Sequence, residues 1–174
     1  MQLSIIAAVS DNGVIGIANK IPWKQRRDME YFKEKTSYSD KLTIPAVIMG
    51  RKTFDSLPKK FKPLPGRHSI VITRNKDIDK IPGVIYVSSL TEAISEARKL
   101  TSHAFIIGGA EIYKQALETD LVDAMFITRI IATVEGDTFF PPIDETKFKN
   151  TLCYNVAHDA DNQYPMEFQT WVRI

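Results

Sequence analysis

The residues best suited to chemistry in this sequence stand where apolar runs give way to polar or glycine-rich turns. Asp28 follows Pro22-Trp23 and shares a helical face with Tyr31 and Phe32. A carboxylate among aromatics offers two acceptor oxygens to two parallel N–H donors on a flat heterocycle, such as an N–C–NH2 edge. Such a pair strengthens where water is excluded. The simpler alternative is an acid that complements a helix dipole. Gly50-Arg51-Lys52-Thr53 follows an apolar run and opens a helix, so backbone N–H groups and two cations invite an anion. Thr73-Arg74, at the end of another apolar run, pairs a hydroxyl with a guanidinium and suits a phosphate. Arg51, Lys52 and Arg74 together are placed to supply the extra cations that a 2′-phosphorylated dinucleotide needs, where an NAD site more often has a carboxylate. Gly108-Gly109 allows an unusual backbone and a close approach by a ligand. The plain alternatives are a solvated basic turn, a surface strand end and an ordinary glycine turn.

Other chemistries lack support. His68, His103, His158 and Cys153 are scattered without metal-ligand spacing, so no metal is expected. None of the eight glycines starts a G-x-S-x-G, a G-x-x-x-x-G-K-[ST] or a G-x-G-x-x-G motif. Serine hydrolysis, P-loop phosphoryl transfer and a standard dinucleotide fingerprint lose their sequence support, while a nucleotide site built another way stays open.

The elements that must position these residues are legible from periodicity. Residues 3–9, 46–50, 68–73, 84–87 and 104–107 are short, mostly apolar runs that suit strands buried on both faces. Helical spacing covers 25–36, 51–57, 90–101 and 110–117, with Thr91 or Ser89 available to cap the third. After Asp120 the rhythm changes: 122–131, 151–158 and 167–173 read as strands in succession without helices between them. The expectation is an α/β fold with one twisted mixed sheet of about eight strands, mostly parallel with an antiparallel C-terminal end, flanked by about four helices. In such sheets ligands bind at the carboxyl ends of strands, where the four turns lie.

Composition sets the frame. The chain has 174 residues, a length that suits one domain over 1–174. With 44% hydrophobic and 25% charged residues it is no disordered chain. A net charge of +2 advertises neither nucleic acid nor a membrane surface. One cysteine forms no intrachain disulfide, and the apolar run at residues 5–9 is too short to span a bilayer. A cytoplasmic monomer is expected.

Several stretches then stand in one characteristic order: Ile5-Ile6-Ala7-Ala8, Val14-Ile15-Gly16, Ile21-Pro22-Trp23, Asp28 with Phe32, and Val47-Ile48-Met49-Gly50-Arg51-Lys52-Thr53. Leu64-Pro65-Gly66-Arg67, Ile107-Gly108-Gly109 with Tyr113, and Glu135-Gly136-Asp137-Thr138 with Phe140-Pro141 follow. In this the chain resembles the dihydrofolate reductase family, of the chromosomal bacterial type, over essentially its whole length. The resemblance implies an oxidoreductase that reduces 7,8-dihydrofolate to 5,6,7,8-tetrahydrofolate by hydride transfer from NADPH, supplying one-carbon metabolism and thymidylate and purine synthesis. It implies Asp28 as the pterin-binding acid, Thr128 hydrogen-bonded to it, and Trp23 holding an active-site water. Ile6, Ala7, Met29, Phe32, Leu57 and Leu64 match the pterin and benzoyl pocket, and Arg67 the clamp on the glutamate tail. Ala8, Ile15, Gly16, Arg51, Lys52, Thr53, Thr73, Arg74, Ile107, Gly108, Gly109, Ala110, Ile112, Tyr113 and Thr138 fall where family members line the cofactor. The Gly108–Gly109 bond resembles the family's non-proline cis peptide.

Further expectations follow from the resemblance. Asp28 stays ionised and favours protonation of pterin N5 without touching it, a water near Trp23 delivers the proton, and residues 10–24 close over the nicotinamide. The chain departs from the family at residues 37–44, a stretch longer than in the shortest bacterial relatives, and at Glu111, where some members carry a basic residue. Two other readings stand beside this one. A reductase on the same fold acting on a pyrimidine intermediate of riboflavin synthesis shares the glycine pair, though it should lack Asp28, Phe32 and Arg67. A nucleotide-binding module without catalysis is the non-enzyme reading.

Overall fold

The computed structural model describes residues 1–37 and 43–174. Most of the longer stretch at 37–44, with its bearing on the rim near the substrate tail, therefore lies outside the described residues. In chain order the elements are β1 (Gln2–Ser10), β2 (Val14–Gly16), α1 (Arg26–Ser37), β3 (Ala46–Gly50), α2 (Arg51–Ser56), β4 (His68–Ile72) and β5 (Val84–Val87). Then follow α3 (Leu90–Leu100), β6 (His103–Ile106), α4 (Ala110–Glu118), β7 (Ala124–Ile130), β8 (Thr138–Phe139), β9 (Phe148–Val156) and β10 (Met166–Arg173).

Eight strands form one sheet in the order β5-β4-β3-β6-β1-β7-β10-β9. The pairs from β5 to β7 are parallel, and β10 is antiparallel to both β7 and β9. The expected mixed sheet is thus present. From β3 the chain steps outward to β5, returns to insert β6 beside β1, and then lays β7 on the far side of β1. That reversal brings the carboxyl ends of β3, β6, β1 and β7 to one edge, where open α/β sheets bind ligands.

Two-residue periodicity explains why the central strands read as continuous apolar runs. Ile5, Ile48, Ile70 and Ile106 pack in one core cluster with Ala93, Ile94 and Ala97 of α3 and Ile112, Tyr113 and Ala116 of α4. Their neighbours Ile6, Val47, Met49, Val71 and Phe105 face the opposite way, into a cluster with Tyr31 of α1 and Phe54 of α2. Both faces are covered, so neither face can be polar. Ser89 caps α3: its hydroxyl accepts the Glu92 N–H at 3.1 Å.

One element was not legible. β2 and β8 pair as a separate two-stranded sheet. Strands of three and two residues are too short to carry an alternation signal, and their pairing depends on residues more than a hundred positions apart.

Candidate active site

Asp28 lies in the first turn of α1 and is 9% exposed. Burial pushes its carboxyl up to about 6, opposed by the Thr128 hydroxyl beside it. No cation pairs with it among the described residues. Thr128 is brought there by the β1–β7 register, which sets Thr128 opposite Ala8. The Thr128 Oγ1 is buried and reaches no hydrogen-bond partner, so the resemblance's hydrogen bond to the acid is a close approach here rather than a formed bond. Trp23 Nε1 is likewise buried and unpartnered. An orphaned hydroxyl beside a buried acid marks a place built for polar company.

The α1 sequence sets a ridge. Asp28, Phe32 and Thr36 follow at four-residue steps and so share one face. Ile6, Trp23, Phe32, Leu57 and Leu64 belong to or pack on the same cluster as Tyr31. Ala7, one residue on from Ile6, packs in the other cluster. Met29 is 53% exposed at the rim. At the far end of the ridge stands Arg67, whose Nε donates to the Pro65 carbonyl at 3.0 Å and whose Nη1 donates to Thr36 Oγ1 at 2.9 Å. Its guanidinium lies 5.9 Å from the Phe32 ring centroid. Gly66, at φ +70°, folds the chain back so that Arg67 returns over its own turn.

The second group gathers at the ends of β3, β4 and β6. The Gly50 N–H donates to the Gly108 carbonyl at 2.8 Å, which ties the start of α2 to the glycine pair. Neither α2 nor α4 has a side-chain cap at its N-terminus. Arg51 pairs with Asp55 at 3.3 Å, whereas Lys52 and Arg74 are exposed and have no ion-pair partner among the described residues. A Cβ on Gly109 would lie 3.3 Å from Thr53 Oγ1, and one on Gly108, at φ +116°, would meet the Tyr113 ring at 3.3 Å. The Gly108–Gly109 bond is cis. Tyr113 spans the two groups: its buried hydroxyl donates to the Ile6 carbonyl at 2.8 Å, and burial, helped by the Asp28 charge, pushes its phenol upward. Ala110 opens α4 and Ile107 follows β6. Ile112 is buried in the core, against Gly50.

The segment 10–24 crosses between the groups with Ile15 and Gly16. Asp137 holds it: its N–H donates to the Gly16 carbonyl at 3.1 Å and its Oδ2 accepts the Ala18 N–H at 2.9 Å. Thr138 Oγ1 donates to Asp137 Oδ1 at 2.7 Å.

A third set was missed by reading the sequence. Asn162 Oδ1 accepts the Arg27 N–H at 2.9 Å, and the Asp161 carbonyl accepts that of Arg26 at 3.2 Å. Gln25, buried, binds both the carbonyl and the N–H of Tyr164 through its amide, each at 2.8 Å. Asp159 Oδ1 accepts from the Asp161 N–H and the Asn162 N–H and amide. The loop before β10 therefore caps the helix that carries Asp28. The available signal was Asp159-Ala160-Asp161-Asn162, a run of the residues that build Asx turns.

Comparison with known proteins agrees with this geometry. The family model described as dihydrofolate reductase matches residues 2–173. The chain is 38% identical over 173 residues to dihydrofolate reductase type 6 of Proteus mirabilis, covering 99% of each. It is 37% identical over 178 residues to the bifunctional dihydrofolate reductase-thymidylate synthase of Daucus carota, covering 98% of this chain but 33% of that longer protein. The structure superposes with a TM-score of 0.86 on a dihydrofolate reductase of Enterococcus faecalis complexed with NADP(H) and RAB-propyl, at 33% identity and covering 99% and 96% of the two chains. With the buried acid, the glycine pair and the capless helix starts in the same fold, the chain belongs to the dihydrofolate reductase family.

Proposed function

We propose that this chain reduces 7,8-dihydrofolate to tetrahydrofolate with NADPH. The observation that carries the reading is Asp28: a buried carboxylate that, among the described residues, has no cation beside it, at the head of a ridge that ends in a guanidinium with no carboxylate partner among them. Each charge lacks the partner that a substrate with an N–C–NH2 edge at one end and a carboxylate at the other would bring.

The residues present fit NADPH. Lys52 and Arg74 have no ion-pair partner among the described residues, Thr53 and Thr73 supply hydroxyls, and the N-termini of α2 and α4 lack side-chain caps. The backbone at Gly109 leaves the space a Cβ would fill beside Thr53. Arg51, Lys52, Thr73 and Arg74 would hold the 2′-phosphate side, and Ala8, Ile15, Gly16, Ile107, Gly108, Gly109, Ala110, Tyr113 and Thr138 the remainder. When bound, NADPH supplies the hydride.

Asp28 does the orienting work. Ionised above about pH 6, it accepts two N–H bonds from the pterin edge and fixes the plane of the ring against Ile6 and Phe32. Its charge, in a site that excludes water, favours a proton on N5 at a distance. The Trp23 Nε1–H donates to a water that carries that proton. The segment 10–24, latched by Asp137, keeps bulk solvent out. Arg67 meets the glutamate carboxylate.

No helix among the described residues is long and apolar enough to cross a membrane, and the single cysteine, Cys153, is exposed and free, in keeping with a cytoplasmic enzyme. The test is direct. Purified protein mixed with NADPH and dihydrofolate should lose the reduced-nicotinamide absorbance, and a diaminopyrimidine antifolate should stop it. Folded protein that leaves NADPH intact would exclude the reading.

A further inference from the structure

Thr36 is wholly buried at 0% exposure, in the last turn of α1. Its hydroxyl donates to the Phe32 carbonyl at 2.8 Å, the back-bond that a threonine often makes within a helix. The same oxygen accepts from Arg67 Nη1 at 2.9 Å. Arg67 is thus fixed by Pro65 at Nε, by Thr36 at Nη1 and by the face of Phe32 beneath it. Its Nη2 makes no hydrogen bond among the described residues. Burial lowers its pKa, and no carboxylate among the described residues offsets that.

A long, flexible guanidinium loses much rotamer freedom when held this way. The arrangement makes sense if that loss is taken in the folded protein rather than at binding. Spacing adds to this. Asp28, Phe32 and Thr36 stand at four-residue steps, so the ridge from acid to hydroxyl is about 12 Å long. A ligand with a flat hydrogen-bonding head, an aromatic middle and a carboxylate tail fits it in that order.

We propose that Thr36 is a positioning residue for the substrate's tail, its buried hydroxyl holding Arg67 so that the free guanidinium edge meets a carboxylate at the end of the α1 ridge. The inference rests on the dihydrofolate reading above and assigns Thr36 no contact with the reacting atoms. It separates Thr36 from a residue that merely finishes a helix, because its effect must depend on the ligand's tail.

The experiment compares dihydrofolate with 7,8-dihydropteroate, which keeps the pterin and aminobenzoyl groups but lacks the glutamate, so that its one carboxylate sits on the ring, short of the position of the tail carboxylate. Thr36→Val, nearly isosteric, should raise KM for dihydrofolate about tenfold with kcat within about twofold, and leave KM for dihydropteroate unchanged. Thr36→Ser should restore the wild-type KM. In an Arg67→Ala background Thr36→Val should add nothing. Thr36→Ala removes the same hydroxyl without new bulk and carries the comparison if the valine variant does not fold. Equal losses with both substrates, or an unchanged KM for dihydrofolate, would overturn the assignment. Wild-type protein inactive on both substrates would instead remove the dihydrofolate reading, and this inference with it.

Discussion

Asp28 carries two opposed consequences. Its folded-state pKa of about 6 exceeds the ordinary 3.8 because burial penalises the charge. A raised carboxyl favours the folded state fully below the unfolded value, and that contribution is lost as pH climbs through about 6. The difference is worth ~3 kcal/mol. Asp28→Asn, which mimics the neutral acid, should therefore melt higher than wild type at pH 8 and about level with it at pH 4. Its kcat/KM for dihydrofolate at neutral pH should fall by roughly a hundredfold or more. Melting curves at pH 4, 6 and 8 with parallel kinetics check both halves; a variant less stable at pH 8 contradicts the burial argument. Arg74 makes a separate claim. Exposed and without an ion-pair partner among the described residues, it should matter only to a ligand with an extra phosphate. Arg74→Ala is expected to raise KM for NADPH about tenfold and to leave NADH within about twofold; equal losses for both would remove the 2′-phosphate contact.

Among the elements, the loop 10–24 and the segment around Gly136 show how a single missing side chain shapes a lid. A Cβ on Gly136 would land on the Val14 side chain and lie 2.8 Å from the Gly16 carbonyl oxygen. Gly136→Ala must push β2 away from β8 and drag the Asp137 latch with it. Stability should fall by about 1–3 kcal/mol, since Val14 is fully buried, while kcat should fall roughly tenfold to a hundredfold from misplacement over the site. Stopped-flow hydride transfer below the melting temperature checks this; a rate lost only in proportion to the unfolded fraction would point to general unfolding instead. The lid illustrates what was legible. The helices and long strands were readable because burial imposes a period, as in Ile5, Ile6, Val47 and Ile48. Asp28 and the turns at Gly50, Thr73 and Gly108 were readable because they end such runs. β2, β8 and the caps at Gln25 and Asn162 were not, because each depends on a partner set by tertiary folding rather than by neighbours in the chain. Asp28 itself only suggested a carboxylate in an apolar pocket; that it lacks a cation, and that Thr128 lies beside it, needed the β1–β7 register.

At the scale of the whole molecule, the acid-bearing helix and the loop before the last strand behave as one unit. Residues 159–164 touch no proposed ligand position, yet they supply hydrogen bonds to the N–H groups of Arg26 and Arg27 and enclose Gln25. A ligand bound at Asp28, as proposed, would steady α1, and the steadied helix end would hold its cap. Amide hydrogen exchange at 159–164 should therefore slow on adding a diaminopyrimidine antifolate. Unchanged exchange there, with slowed exchange in α1, would show that the two are not coupled.

That clasp also imposes a schedule. Helix α1 leaves the ribosome well over a hundred residues before the segment that closes its first turn, which comes just ahead of β10. A nascent chain can hold most of its parallel sheet and still lack a settled Asp28, so the acid is set in place only after the sheet around it.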